Sequence, residues 1–343
     1  MLYRTYPNTN LTVSAVGFGL WTTATGWWGE MTDDEAVAML HEARDLGVTL
    51  FDAADTYGNG RSEEQLASAF KSSRGDVVYA TKFGYDFYAH GAERKGQFEI
   101  PRDFSPAFVR FALEQSLRRL QTETIDIYQV HNAHLTEVEN DELWALLETF
   151  QAEGKIRHYG VALGPAIGWL YEGIDSIVKR NTTSVQMIWN MLEQFPGRPM
   201  IEAADTSSGA TGFMIRVPHS SGMLEGNYTP DTVFAEGDHR RHRPHSWLVN
   251  GVKKIERLRF LERPERTLGQ AAIQWLLAKP RVMSVLPNIY DRAQLREFAS
   301  APDAPPLSQE EFARIAAEYA NNFGIEEAPM KFKGTMTREE ATV

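Results

Sequence analysis

The sequence predicts an α/β fold closed as a (β/α)8 barrel of the TIM type, and three observations carry the prediction. Short apolar runs rich in β-branched residues alternate with amphipathic stretches, the pattern of parallel strands joined by crossover helices. Eight strand-like runs occur, with at least seven helical stretches between them. No Pro/Gly/Ser-rich linker divides the series, so one unit is expected over 1–324. Residues 325–343 form a polar C-terminal tail, expected to be mobile.

An N-terminal β-hairpin around PNTNLTV precedes the first strand, AVGFGLW (15–21). DDEAVAMLHEARDLG follows as a helix, because acidic residues favour the N-terminal end of a helix dipole and Gly47 supplies a stop. VTLFDAAD is the second strand, and SEEQLASAFKSS the next helix with Ser62 as its expected N-cap. Strands DVVYATKF (76–83), IDIYQVHN (125–132) and RHYGVALG (157–164) alternate with SPAFVRFALEQSLRRLQ and NDELWALLETFQAEGK. A helix near 167–180, the strand SVQMIWN (184–190), a short helix at 198–206 and the strand GFMIRVP (212–218) come next. LGQAAIQWLLAKP, the eighth strand VMSVLPN (282–288) and DRAQLREFASA complete the series. Residues 221–266 exceed the repeat and read as a long loop insertion after strand 7, on the face where such barrels carry their reacting groups.

Composition excludes several functions. A formal net charge of -11 argues against nucleic acid as a partner, since a phosphate backbone selects basic surfaces. No apolar run is long enough to span a bilayer and MLYRTYPNTN lacks the features of a signal peptide, so a cytoplasmic protein without a membrane partner is expected. The absence of cysteine removes disulfides, thiolate nucleophiles and thiolate metal sites. His239, His242 and His245 in DHRRHRPHSWL are regularly spaced, but the interleaved arginines and prolines favour a solvated or phosphate-facing loop, and no metal site is expected.

The strand ends carry the chemistry. Asp52 closes the second strand with Tyr57 just beyond it, Lys82 closes the third and His131 the fourth. A lysine and an aspartate buried on neighbouring strands pair, because neither charge is stable alone away from water. An ammonium beside a phenol stabilises negative charge on its oxygen and makes it a better proton donor, and a histidine can orient a carbonyl oxygen. The chain has no nucleophile elbow, HExxH or GxGxxG. The set therefore suits protonation of a carbonyl oxygen while another group delivers hydride. Asp55 reads as a loop or cap residue, and Trp21 and Trp189 as walls of an apolar substrate pocket.

FDAADTYGNGRSEE, ATKFG, IDIYQVHN and SVQMIWNMLEQ, in this order over about residues 10–302, resemble the aldo-keto reductase superfamily. The resemblance implies reversible reduction of a small aldehyde or ketone, with Tyr57 as general acid, Lys82 and Asp52 as its tuning pair and His131 orienting substrate. It implies NADPH, with NADH possible, bound extended across the mouth without a GxGxxG. Gln186 would hold the carboxamide, and Arg216 would cover the nicotinamide where many members stack an aromatic ring. VPHSSGMLEGNY would run under the pyrophosphate through Pro218, His219, Ser220 and Gly222. LPNIYDRAQLREF would hold the adenosine end through Asn288, Gln294 and Glu297. The chain departs from the family pattern at Ala162 and Leu163, where a Ser-Asn pair is usual, and at His219, Asn288 and Phe298. The resemblance extends to potassium-channel β subunits, which makes a cofactor-sensing regulatory subunit the alternative reading.

Overall fold

The computed structural model describes residues 1–93 and 99–338. Eight parallel strands pair in chain order. They are β1 (Phe18–Gly19), β2 (Leu50–Asp52), β3 (Val78–Phe83), β4 (Ile125–His131), β5 (Ile156–Ala162), β6 (Ser184–Ile188), β7 (Gly212–Arg216) and β8 (Val282–Leu286). The ring is drawn shut beside β1, where the Gly17 amide donates to the Val285 carbonyl at 2.9 Å and the Val285 amide to the Ala15 carbonyl at 2.8 Å. Helices surround the strands, giving the (β/α)8 barrel that the alternation predicts.

The predicted hairpin is present as Tyr3–Thr5 paired antiparallel with Thr12–Ser14. It plugs the bottom of the barrel: Tyr6, Leu11 and Val13 pack with Leu50, Ala80, Ile127 and Met214. Side chains on a strand alternate between faces, so two residues further along each of these strands the same inward direction recurs. Those positions are Asp52, Lys82, Gln129 and Arg216, with Gln186 two residues beyond Ser184, which meets Tyr6 across the barrel at 3.3 Å. Apolar packing closes the bottom, and polar groups line the layer above it.

Local chemistry sets several boundaries differently from the sequence pattern. Strand β1 stops at Gly19: the Leu20 amide makes the last bond to β2, at the Asp52 carbonyl, and a short helix, Trp21–Ala24, begins. The first long helix is Asp33–Asp45 with Thr32 and Glu35 forming a capping box, and Gly47 follows at φ +90°, a conformation glycine tolerates. Ser62 is not a cap: the helix Arg61–Phe70 is preceded by Gly60, and the Ser62 hydroxyl donates to the Ala54 carbonyl at 2.8 Å.

The insertion is not simply a loop. It contains 3-10 turns at Met223–Glu225 and His239–His242 and a helix, His245–Leu258. The tail is not free over its described part either, because buried carboxylates recruit it. Glu172 accepts from the Thr335 amide at 3.0 Å, Asp175 accepts from Arg338 at 3.0 Å, and Lys254 pairs with Glu327. Residues 339–343 lie outside the described residues. No helix among the described residues is long and apolar enough to cross a membrane.

Candidate active site at the barrel mouth

Asp52 is the hub of the layer above the plug. Its Oδ2 accepts from Lys82 Nζ at 2.7 Å, and its Oδ1 accepts from Gln186 Nε2 at 2.9 Å and Gln129 Nε2 at 3.3 Å. Lys82 also donates to the Ala53 carbonyl at 2.7 Å. Lys82 is 0% exposed and Asp52 4%, so the pair is held almost entirely away from water. Its cost of desolvation is offset by neutralisation and by these hydrogen bonds.

Tyr57 stands in the turn beyond β2, half-buried at the mouth. The Lys82 ammonium lies 4.9 Å from its ring centroid, and the His131 ring meets it edge-on at 5.7 Å. The four residues predicted from separate strand ends are thus one cluster. Its surroundings include groups that the sequence reading missed. Tyr85, beyond β3, meets His131 edge-on at 5.1 Å. Its hydroxyl accepts from Asn132 Nδ2 at 2.6 Å and donates to Glu99 at 2.8 Å. Gln129 was legible in principle, two residues before His131 on the same inward face. The Tyr85 network joins residues far apart in the chain and had no sequence signal.

Asp55 is a loop residue, in the turn between β2 and the helix Arg61–Phe70, but not an exposed one. It is fully buried, and burial together with the nearby Glu63 raises its carboxyl well above the usual carboxylate range, against the opposing pull of Arg119 and Lys82. Glu63 beside it is paired with Arg119 at 2.7 Å and accepts from Thr81 at 2.6 Å.

The residues expected to hold a dinucleotide fall into three groups. At the mouth, Gln186 has its amide nitrogen turned to Asp52. Arg216 reaches from the end of β7 to the end of β5, where Nη2 donates to the Leu163 carbonyl at 2.5 Å and to the Gly164 carbonyl. Burial pulls its guanidinium below its ordinary value, while Tyr57, Asp52 and Tyr85 pull it back up. The backbone carbonyls beyond Ala162 therefore anchor this arginine.

Pro218, His219, Ser220 and Gly222 form a tight loop after β7. Val217, Ser220 and Ser221 all have positive φ, a conformation that costs non-glycine residues about 1–3 kcal/mol each and is retained where a backbone must face a ligand. Among the described residues nothing accepts from the Ser221 and Gly222 amides, which leaves donors for an anion. Ser220 Oγ donates to Glu193 at 3.0 Å, and Asn190 ties the same carboxylate to the Val217 carbonyl.

The His219 ring does not enter this donor set. It is 2% exposed, pairs through Nε2 with the Gly269 carbonyl at 3.0 Å, and packs on Phe298 with centroids 4.4 Å apart. Two departures from the family pattern, His219 and Phe298, are thus one packing event. At the third group, Gln294 donates to Glu225 at 3.0 Å and accepts from the Tyr290 amide, while Glu297 accepts from Thr267 at 2.5 Å. Both side chains are engaged within the protein. Asn288 lies two residues past β8 and is half-buried.

The aromatic residues divide. Trp21 is half-buried at the mouth in a cluster with Trp27, Trp28 and His239, whose rings lie 5.3–6.0 Å from it. Trp189 corrects the expectation of a pocket wall: it is 1% exposed and packs edge-on against Trp275 at 5.5 Å, in the layer between strands and helices. His239 is enclosed by tryptophans and His245 meets the Pro230 carbonyl, so the three histidines do not converge.

Loop amides without an acceptor among the described residues, a buried guanidinium and a phenol beside an ammonium are chemically suited to an anionic dinucleotide. The model of the Aldo/keto reductase family matches residues 15–320. The uncharacterized oxidoreductase YqkF of Bacillus subtilis is 30% identical over 320 residues, covering 92% of this chain and 95% of that protein. The aldo-keto reductase yakc [NADP(+)] of Schizosaccharomyces pombe is 29% identical, over 79% and 78% of the two chains. Among solved structures, the holo form of aldo-keto reductase AKR11C1 from Bacillus halodurans superposes with a TM-score of 0.73 at 27% identity, covering 92% and 96%. On the family model, the relatives and the barrel together, this chain belongs to the aldo/keto reductase family.

Proposed function

We propose that the protein is an NADP(H)-dependent carbonyl reductase that converts a small aldehyde or ketone to an alcohol, reversibly. The observation that supports this most directly is the setting of Tyr57, with the Lys82 ammonium 4.9 Å from its ring and the His131 ring edge at 5.7 Å. A carbonyl oxygen entering the mouth meets the Tyr57 hydroxyl, which gives it a proton. The charge left on the phenol oxygen is stabilised by Lys82, and Asp52 with its two glutamine donors keeps that ammonium in place. His131 orients the carbonyl, and Tyr85 backs the histidine. The nicotinamide supplies the hydride. Gln186 and Arg216 would hold that end of the cofactor, and the loop from Val217 to Gly222 its phosphates. The NADP(+) in the name of the fission-yeast relative favours the phosphorylated cofactor; NADH is the alternative.

The test is titration of the purified chain with NADPH and with NADH, followed by tryptophan quenching, and assay of Tyr57→Phe. Saturable binding together with a loss of turnover by about 10²–10⁴-fold, with cofactor affinity nearly intact, is expected. Absence of binding for both nucleotides, or an active Tyr57→Phe, overturns the reading.

A further inference from the structure

We propose that Arg216 makes the mouth bind the reduced nicotinamide more tightly than the oxidised one, so that the site is biased toward carbonyl reduction. This rests on the carbonyl reductase reading above. It concerns the charge of the site, which that reading leaves open.

The mouth layer contains three fixed charges, and two of them are spent on each other. Asp52 is paired with Lys82 and shared with Gln129 and Gln186. The charges of Tyr57, Asp52 and Tyr85 act on Arg216, but among the described residues no carboxylate forms an ion pair with it. Its anchors are neutral carbonyls, those of Leu163 and Gly164, and its Nε is buried without a partner among the described residues. The layer therefore keeps one uncompensated positive charge. A guanidinium stays protonated in such a setting.

A dihydronicotinamide ring is neutral and becomes a cation when it gives up hydride. The hydride acceptor is the carbon whose oxygen Tyr57 protonates, so that change of charge takes place in the layer where Arg216 is held. Two positive charges in a partly buried site repel, and they do so far more strongly than in water. The oxidised ring is disfavoured while the reduced ring is not. An aromatic side chain in the place of Arg216 would have the opposite effect, because a ring face attracts a cation. The anchoring is part of the device. A mobile arginine would swing to solvent when the oxidised ring forms, whereas the β5 carbonyls hold this one in the mouth.

The experiment measures dissociation constants of the full chain for NADPH, NADP+, NADH and NAD+ by tryptophan quenching. It is repeated with Arg216→Gln, which removes the charge, and with Arg216→Lys, which keeps the charge without the fork. The wild type should bind the reduced member of its preferred pair about tenfold or more tighter, the factor that 1.4 kcal/mol represents. The ratio should fall to within about threefold in Arg216→Gln and fall less in Arg216→Lys, which keeps the charge but not the anchored fork. Equal affinities for the two redox states in the wild type overturn the proposal whatever the variants do, and leave the reductase reading standing. An unchanged ratio in a folded Arg216→Gln also overturns it. A wild type that binds none of the four nucleotides overturns both.

Discussion

Lys82 donates from Nζ to Asp52 at 2.7 Å, with neither side chain open to water. Breaking one partner of such a pair leaves a buried charge alone and costs about 3–5 kcal/mol, whereas replacing both with apolar residues is often nearly neutral. Lys82→Met and Asp52→Leu should each lower the urea midpoint strongly, and the double variant should recover most of that loss. Turnover should stay abolished in the double variant, because on the proposed mechanism Tyr57 still lacks the ammonium beside it. A double variant that regains activity with stability would show that the pair serves only the fold.

His219 gives the stability a pH dependence of definite sign. Burial lowers its pKa from 6.5 to about 4, opposed by its bond to the Gly269 carbonyl. The unfolded chain therefore takes the proton first, and stability falls as pH drops from about 6.5 toward 4, by up to about 3 kcal/mol. His219→Leu keeps an apolar contact for Phe298 and removes the titration. Relative to wild type, His219→Leu should therefore gain stability at pH 4.5 over pH 7, read from urea midpoints, because the opposing Glu225 slope is left alone.

Glu225 acts in the opposite direction. Burial, with Glu297 and Asp291 nearby, pushes its carboxyl up to about 7, and the bond from Gln294 only partly offsets this. Here the unfolded chain releases its proton first, so stability falls as pH rises from 4.5 to about 7 and is level above that. Glu225→Gln removes the penalty and should stabilise the protein above pH 7 by up to about 3 kcal/mol, with little effect at pH 4.5. In wild type the two slopes oppose each other between pH 4.5 and 6.5, so the single variants expose what the parent conceals.

These groups mark the limit of what the sequence made legible. The barrel was readable because strand and helix periods alternate, and Asp52, Lys82 and His131 stood out because each interrupts an apolar run at a strand end. Trp189 was misread because a strand end marks position but not direction, and its indole turns outward to Trp275. The helix His245–Leu258 left a signal in the spacing of Leu248, Ile255 and Leu258, which the preceding histidines, arginines and prolines obscured. The docking of Thr335 and Arg338 on Glu172 and Asp175 joins polar residues distant in the chain, a contact no local pattern encodes.

Arg240 ties the insertion to the mouth, and its loss should loosen that connection specifically. It donates to both oxygens of Asp238 and to the Tyr228 hydroxyl at 2.7 Å. Its guanidinium lies 4.4 Å from the Trp28 ring centroid and 4.9 Å from that of Phe234. Trp28 belongs to the loop after β1 and Phe234 to the insertion, so one planar cation bridges two loops from opposite ends of the chain order. A lysine cannot reproduce the fork and the stacking together. Arg240→Ala and Arg240→Lys should both raise the rate of limited proteolysis within 229–247 by about tenfold or more, a loss of at least 1.4 kcal/mol of local stability. Global unfolding should move little, because the barrel beneath does not depend on this contact. If saturating NADPH restores protection in either variant, the insertion closes on the cofactor; if it does not, Arg240 fixes the loop independently of ligand.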